Sequence, residues 1–246
     1  MAKANVQLRH HHKLKVHARI GSLALDVDLE LSTQWTLLFG PSGSGKSSLL
    51  RAACGLLDGN GISFSRQQPV DHWIALEHTP SHLRNLGWAP QNASLFPHFN
   101  VAENIAFAAR STAHPAEHQA LIADSMRLFR IGDLASRMPR DLSGGERQRV
   151  SLARAFATPS CQLMLLDEPF NGIDRALRDE LLPEMRAWCR DRRVPVLSVS
   201  HDVEEALQLQ AEVVLIRDGR VEAQGYVTKV LQAERARLLR SLSEPH

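Results

Sequence analysis

The chain has 246 residues, 43% apolar and 23% charged, with a formal net charge of +2. That length suits one large domain or two small ones and allows a real core, while the charge is too small to argue for nucleic acid by electrostatics alone. No segment approaches the roughly 18 uninterrupted apolar residues of a spanning helix, and the N-terminus lacks the apolar stretch of a secretory signal, so any link to a membrane is expected to run through a partner. Cys54, Cys161 and Cys189 match no metal or redox spacing and read as free thiols in a reducing compartment.

In chain order, Val6 to Val16 is polar and basic with scattered apolar residues. Within it His10, His11 and His12 are adjacent. On an extended segment they point to different sides and make a poor metal site, so they read as solvated surface. Leu23, Leu25, Val27, Leu29 and Leu31 alternate strictly, the period of a half-buried strand, and Trp35 to Phe39 is a short buried strand. A Gly/Ser-rich turn and a helix from Ser47 to Leu57 follow, which makes half of a parallel α/β unit. Ile62 to Asn85, with Pro69 and Pro80, predicts short strands and loops, and Leu86 to Ala89 a strand ending at Pro90.

From Val101 to Arg137 the period becomes helical, with Ile105, Ala108 and Ala109 on one face and Leu121, Ser125, Leu128 and Phe129 on another. A helix from about Gly145 to Ala157 follows Ser143. Then come a buried strand over Leu163–Leu166, a helix over Asp174–Arg190 despite Pro183, and a strand over Val194–Val199. A helix over Val203–Leu209 and a strand over Val213–Ile216 lead to Asp218-Gly219, a hairpin turn into Val221. Thr228 to Leu242 predicts an amphipathic terminal helix. Trp35, Trp73, Trp88 and Trp188 are assigned to packing. The expected organisation is one α/β domain over residues 1–246 carrying an inserted helical subdomain over approximately 97–155.

Three stretches carry chemistry. Gly40-Pro41-Ser42-Gly43-Ser44-Gly45-Lys46-Ser47 fits the phosphate-loop pattern at every fixed position and sits between a buried strand and a helix, the context its mechanism requires. Its glycines let several N–H groups converge on one anion, the helix adds its positive end, Lys46 supplies a cation for the outer phosphates of ATP, and Ser47 offers a hydroxyl to Mg²⁺. Leu163 to Leu166 ends in Asp167 and Glu168. Asp167 fits a Mg²⁺ ligand, and Glu168 fits a general base polarising the attacking water. Ser143, with Glu146 three residues on, makes a capping box. Gly144 and Gly145 leave that helix tip open to a close approach, a second anion site facing outward.

The phosphate loop, Gln91 after a short strand, Leu142-Ser143-Gly144-Gly145-Glu146-Arg147-Gln148-Arg149, Asp167-Glu168-Pro169 and His201 occur in that order. Across essentially its whole length the chain resembles the ATP-binding subunit of ATP-binding-cassette (ABC) transporters. The resemblance implies a P-loop (RecA-like) α/β fold with an N-terminal antiparallel β subdomain and an inserted α-helical subdomain. It implies ATP and Mg²⁺ as cofactors and a second copy of the chain as partner, closed head to tail so that Ser143, Gly144 and Gly145 contact ATP in trans. The implied nucleotide contacts are Gly40, Pro41, Ser42, Gly43, Ser44, Gly45, Lys46, Ser47, Ser48 and Asp174. The implied metal ligands are Ser47, Gln91 and Asp167, and the implied hydrolysis residues are Glu168, His201, Gln91 and Lys46, with Gln91 also signalling to an integral membrane permease subunit.

Two departures from the family pattern stand out. Pro169-Phe170-Asn171-Gly172-Ile173-Asp174 replaces the usual Ser/Ala-Leu-Asp, which suggests a looser loop. No aromatic residue precedes Trp35 to stack on adenine, with His17 near the expected place and apolar contact the other means. Leu95-Phe96-Pro97-His98 and Val101-Ala102-Glu103-Asn104-Ile105 look like import subunits, especially those for molybdate and related oxyanions, which act with an external substrate-binding protein. Many of these carry a C-terminal oxyanion-binding domain, and none is expected here. The expected location is the cytoplasmic face of the membrane, with no nucleic acid partner. An exporter subunit and a soluble ABC ATPase acting on nucleic acid or ribosomes are the alternatives.

Overall fold

The computed structural model describes residues 11–57, 59–68, 72–109 and 115–232. β1 (His12–Ile20) and β2 (Leu23–Leu31) pair antiparallel over their full length. The alternation read from sequence is what orients them. Leu25, Val27, Leu29 and Leu31 are buried on the same face as Leu14 and Val16, while Asp26, Asp28 and Glu30 face out. β3 (Trp35–Phe39) runs through the Gly/Ser-rich turn into α1 (Lys46–Cys54). The stretch expected to hold short strands and loops folds as β4 (Ile62–Gln68) and β5 (His72–Ala75), then β6 (Leu86–Ala89). Helices α2 (Val101–Ala109), α3 (Pro115–Leu128) and α4 (Gly144–Phe156) come next. The remaining elements are β7 (Leu163–Asp167), α5 (Arg175–Asp191), β8 (Val196–Val199), α6 (Val203–Leu209), β9 (Glu212–Arg217) and β10 (Arg220–Tyr226).

The described strands form one sheet in the order β5-β4-β1-β2-β10-β9-β3-β8-β7-β6. Strands β9, β3, β8, β7 and β6 are mutually parallel, as βα crossovers require, and β5, β4, β1 and β2 are antiparallel. The β9–β10 hairpin joins the two halves. Its turn residues Asp218 (φ 48°) and Gly219 (φ 76°) are both left-handed, as a two-residue hairpin needs. The Gly219 carbonyl accepts the Asp26 N–H at 2.8 Å, and a Cβ on Gly219 would stand 2.0 Å from the Ala24 carbonyl oxygen. The helices α2, α3 and α4 lie between β6 and β7 in the chain.

Side chains of the parallel strands alternate between two cores. Leu38, Leu163, Leu165, Leu197, Val199, Val214 and Ile216 pack with α1 and the antiparallel strands. Their chain neighbours Leu37, Met164, Leu166, Val196, Val213 and Leu215 pack with α4, α5 and α6. This is the near-continuous apolar run of a strand covered on both faces. His12 is corrected by this geometry. It is fully buried and stacked on Phe64 with ring centroids 5.6 Å apart, so it belongs to the interior, not to solvated surface. His10 lies outside the described residues. A helix begins at residue 227, and the part of the expected terminal helix beyond 232 lies outside the described residues. All three cysteines are buried and free, and among the described residues no helix is long and apolar enough to cross a membrane.

Helix α1 is fixed at its far end. Gly55 ends it in the left-handed conformation (φ 71°), with the Gly55 and Leu56 amides bonded back to Ala52 and Arg51. Arg84, 4% exposed, donates from Nη1 to the Ala53 carbonyl at 2.8 Å, from Nε to Thr79 at 2.8 Å and from Nη2 to Glu77 at 3.1 Å. These bonds satisfy a helix end and tie it to the segment that enters β6. Replacing Arg84 by Met should cost about 2–4 kcal/mol of stability, because buried carbonyls lose their charged donor. Urea denaturation of the two proteins measures it.

Candidate functional site

The phosphate loop lies where β3 ends. Gly40 has φ 141° and its Cα faces β9, where a Cβ would meet the Ile216 carbonyl oxygen at 2.1 Å; Gly43 (φ 79°) and Gly45 (φ 101°) are left-handed. The cap position Gly45 has no side-chain hydrogen bond to the first turn of α1, and that turn holds no acid. Its amides therefore remain available to an anion, backed by the positive end of the helix. Lys46 is 8% exposed, and Nζ donates to the Gly40 carbonyl at 2.9 Å, the Pro41 carbonyl at 2.7 Å and Ser44 Oγ at 3.4 Å. Burial pushes its ammonium down from the usual lysine range. Ser42 and Ser48 flank the same turn, Ser42 exposed and Ser48 half-buried.

The acids come from the next strand but one. Ser47 Oγ donates to Asp167 Oδ1 at 3.0 Å, and Asp167 is buried at the end of β7. Burial raises the Asp167 carboxyl above the ordinary range, and the Ser47 bond opposes that shift. A hydroxyl and a carboxylate oxygen side by side fit Mg²⁺, which takes few protein oxygens and leaves its other positions to water and phosphate. Glu168 is left-handed at φ 47°, a conformation costing a non-glycine residue about 1–3 kcal/mol, and its N–H is held by the Val199 carbonyl at 3.0 Å. Gln91 Nε2 donates to Glu168 Oε2 at 2.9 Å, and His201 Nδ1 lies 3.8 Å from Glu168 Oε1. The six residues thus form two pairs, Ser47 with Asp167 and Gln91 with Glu168, with Lys46 beside the first and His201 beside the second.

The tip of α4, expected to form a second anion site, lies apart from the phosphate loop. Ser143 Oγ accepts the Glu146 N–H at 3.2 Å, and Glu146 Oε2 accepts the Ser143 N–H at 2.6 Å, which completes the capping box. These bonds hold the Glu146 carboxyl below the usual range, the Ser143 backbone N–H foremost. Nothing lies within 4 Å of where a Gly144 Cβ would be, so Gly144 is open to an incoming group. Gly145 differs, since a Cβ there would stand 2.5 Å from the Gly172 carbonyl oxygen. The Asn171–Asp174 turn therefore rests on the tip of α4, and left-handed Gly172 (φ 75°) shapes it for that contact. Gln148 Nε2 adds a bond to the Pro169 carbonyl at 3.2 Å. Asp174 caps α5, accepting the Leu177 N–H at 2.9 Å. Among the described residues no hydrogen bond or ion pair joins Ser143–Gly145 to Gly40–Ser48.

His17 is placed away from the loop. It shares the outer face of the β1–β2 ladder with Asp26 and Asp28, its ring nitrogens 2.8 Å and 3.0 Å from their carboxylates. Those bonds raise its pKa, Asp26 first. The phosphate loop packs on the opposite face, where Leu25 and Leu23 approach Gly45. His17 thus faces away from the loop, which Leu23 and Leu25 border instead.

Two residues that sequence reading missed hold the segment after Gln91. Asn104, fully buried, accepts the Phe96 N–H at 2.8 Å and donates to the carbonyls of Phe96, Phe99 and Asn100 at 3.2, 2.9 and 3.0 Å. Arg154 donates to the Ser94 carbonyl at 2.7 Å and lies 5.4 Å from the Phe96 ring centroid. The one signal for Asn104 was a polar residue on an apolar helix face, one turn after Val101 and beside Ile105.

A profile of the ABC transporter family matches residues 25–171. The chain is 33% identical over 231 residues to the molybdate/tungstate import ATP-binding protein WtpC of Archaeoglobus fulgidus, covering 94% of this chain and 93% of that one. It is 40% identical to the molybdenum import ATP-binding protein ModC of Pseudomonas fluorescens, covering 89% of this chain and 61% of the relative. To ModC of Thiobacillus denitrificans the identity is 42%, over 82% of this chain and 55% of the relative, so the chain spans little more than half the length of these two. The solved dimeric bacterial ABC transporter cassette MJ0796 shares the fold, with a TM-score of 0.73 at 22% identity over 88% of this chain and 98% of that one. Matched by the family profile over more than half of its residues, and by a relative along almost its full length, the chain belongs to the ABC transporter family as an ATP-binding cassette.

Proposed function

We propose that this cassette is the ATP-hydrolysing subunit of an importer, carrying molybdate or a related oxyanion, and that it works as a pair of chains closed head to tail on two nucleotides. The observation that carries the reading is the convergence of Lys46, Ser47, Asp167, Gln91, Glu168 and His201 on one edge of the sheet, together with an anion site at Ser143–Gly145 that lies elsewhere on the same chain. One chain supplies each half once, so a second copy completes each site. Matched relatives are named for import of molybdate and tungstate, of sulfate and thiosulfate, and of Fe(3+), and tetrahedral oxyanions recur among them.

In this reading the amides of Gly43 to Lys46 cradle the phosphates, that of Ser44 giving up its bond to the Pro41 carbonyl, and Lys46 exchanges its carbonyl partners for phosphate oxygens. Mg²⁺, held by Ser47 and Asp167, supplies charge neutralisation at the outer phosphates. Glu168 accepts the proton of the attacking water. Its Oε2 is engaged by Gln91, so the position of Gln91 controls when the base is free. His201 contacts the γ-phosphate, and Ser143, Gly144 and Gly145 of the facing copy close the site. The protein chiefly positions groups and stabilises charge.

The permease is proposed to dock beside Gln91. Phe96 and Phe107 are 37% and 44% exposed with rings 4.6 Å apart, and Phe99 joins them, on the segment that Asn104 and Arg154 hold rigid. An exposed aromatic cluster of this kind suits a partner helix. From this face the cassette sits on the cytoplasmic side, and an external substrate-binding protein acts through the permease.

Glu168→Gln should bind ATP normally, lose turnover by at least about 100-fold and accumulate as a nucleotide-bound dimer, because a general base is removed with its shape kept. Rapid multiple turnover by that variant would falsify the assignment. Lys46→Ala should weaken ATP binding by about 10–100-fold, the worth of a charge-assisted contact, as read by equilibrium titration. Phe107→Glu should leave ATP binding intact and abolish co-purification with the membrane subunit. Uptake of labelled molybdate into vesicles carrying the complete transporter tests the cargo, and competition by tungstate or sulfate defines its range.

A further inference from the structure

Beside the proposed hydrolysis residues lies a charged network that no step above uses. Arg178, one turn into α5, has a side chain only 11% exposed. Its Nη1 donates to Asp202 Oδ2 in a very short contact. Nε and Nη2 donate to Asp179 Oδ1 at 3.2 and 3.1 Å, Nη2 reaches Glu204 at 3.3 Å, and Glu205 Oε1 lies 3.9 Å from Nη1. Glu205 is 6% exposed, and burial raises its carboxyl above the ordinary range while the Ser200 hydroxyl opposes that shift.

Ser200 and Asp202 are the two neighbours of His201. Ser200 Oγ accepts the Asp202 N–H at 3.0 Å, and Asp202 Oδ1 accepts the Glu204 N–H at 2.7 Å, capping α6. The backbone of His201 is thus gripped on both sides, by Glu205 through Ser200 and by Arg178 through Asp202. The imidazole itself is 78% exposed, so what aims it is this backbone. The other end of the grip is α5, which Asp174 caps at the end of the turn that rests on Gly145. Without Arg178, Asp202 and Glu205 would face each other in a half-buried site with no guanidinium between them, and the loop would have reason to move.

We propose that Arg178 is a positioning residue for His201: it fixes the Ser200–Asp202 loop to α5, and so makes the aim of the histidine depend on the Asn171–Asp174 turn. The proposal rests on the reading of His201 as a hydrolysis residue, and the experiment separates the two. In the purified full chain, Arg178→Met should lower ATP turnover at saturating nucleotide by about tenfold or more while leaving the ATP dissociation constant within about twofold. Arg178→Lys should recover part of the loss. Asp202→Asn, which keeps shape at a partly exposed position and decides the matter if Arg178→Met does not fold, should show the same split. The two changes together should be no worse than either alone, since they break one link. His201→Ala is the reference. If it turns over normally, the underlying reading falls. If it is inactive while Arg178→Met and Asp202→Asn turn over at the wild-type rate, the positioning role is overturned. Losses in the two single variants that multiply in the double variant, or that follow weakened nucleotide binding, also overturn it.

Discussion

A nearly buried ammonium whose hydrogen-bond partners are two backbone carbonyls and a hydroxyl is the constraint around which the site is built. Lys46 sits at the start of a helix whose first amides point the same way, so positive charge is concentrated where no side chain of the loop can neutralise it. Such a site is tolerable only because it is incomplete. Asp167 and Glu168 relieve it from the end of β7, yet each is committed to another partner, Ser47 and Gln91. The free chain is thus electrostatically poised for a polyanion, and the geometry of the sheet is what keeps the acids close without letting them close the loop.

The second organising contact is steric. Gly145 and Gly172 meet backbone to backbone, so the tip of α4 and the turn after Glu168 share one contact surface. The Asn-Gly sequence of that turn had suggested looseness; its left-handed glycine instead shapes a fitted surface. In the proposed head-to-tail pair, the tip that meets the partner's nucleotide is in contact with the turn leading back to the chain's own Glu168. The helix that follows the turn carries Arg178.

Much of this was legible in the sequence because the chemistry is local. Gly40 to Ser47, Ser143 to Glu146 and Asp167-Glu168 are contiguous, and the flanking apolar runs have the periods of the elements that present them. What escaped was decided by facing, which contiguous residues do not reveal. His17 lay at a plausible distance along the chain, but the pairing of His17 with Asp26 puts it on the outer side of the hairpin. His12 read as surface among histidines, yet one step of the same alternation carries it against Phe64. Asn104, Arg154 and Arg178 act through atoms far away in sequence, and nothing in their immediate neighbours announces the carbonyls or carboxylates they meet.

Strand β7 shows how closely the interior and the chemistry share one register. Leu163 and Leu165 serve one core, Met164 and Leu166 the other, and the acids follow in step. A slip of a single residue would exchange the two linings and, by the same rotation, turn Asp167 and Glu168 to the wrong sides. The strand is therefore a ruler as much as a scaffold. Its side chains can be exchanged for others of similar size, but its length cannot change, and in that segment insertions and deletions should be far rarer than substitutions in any functional version of this cassette.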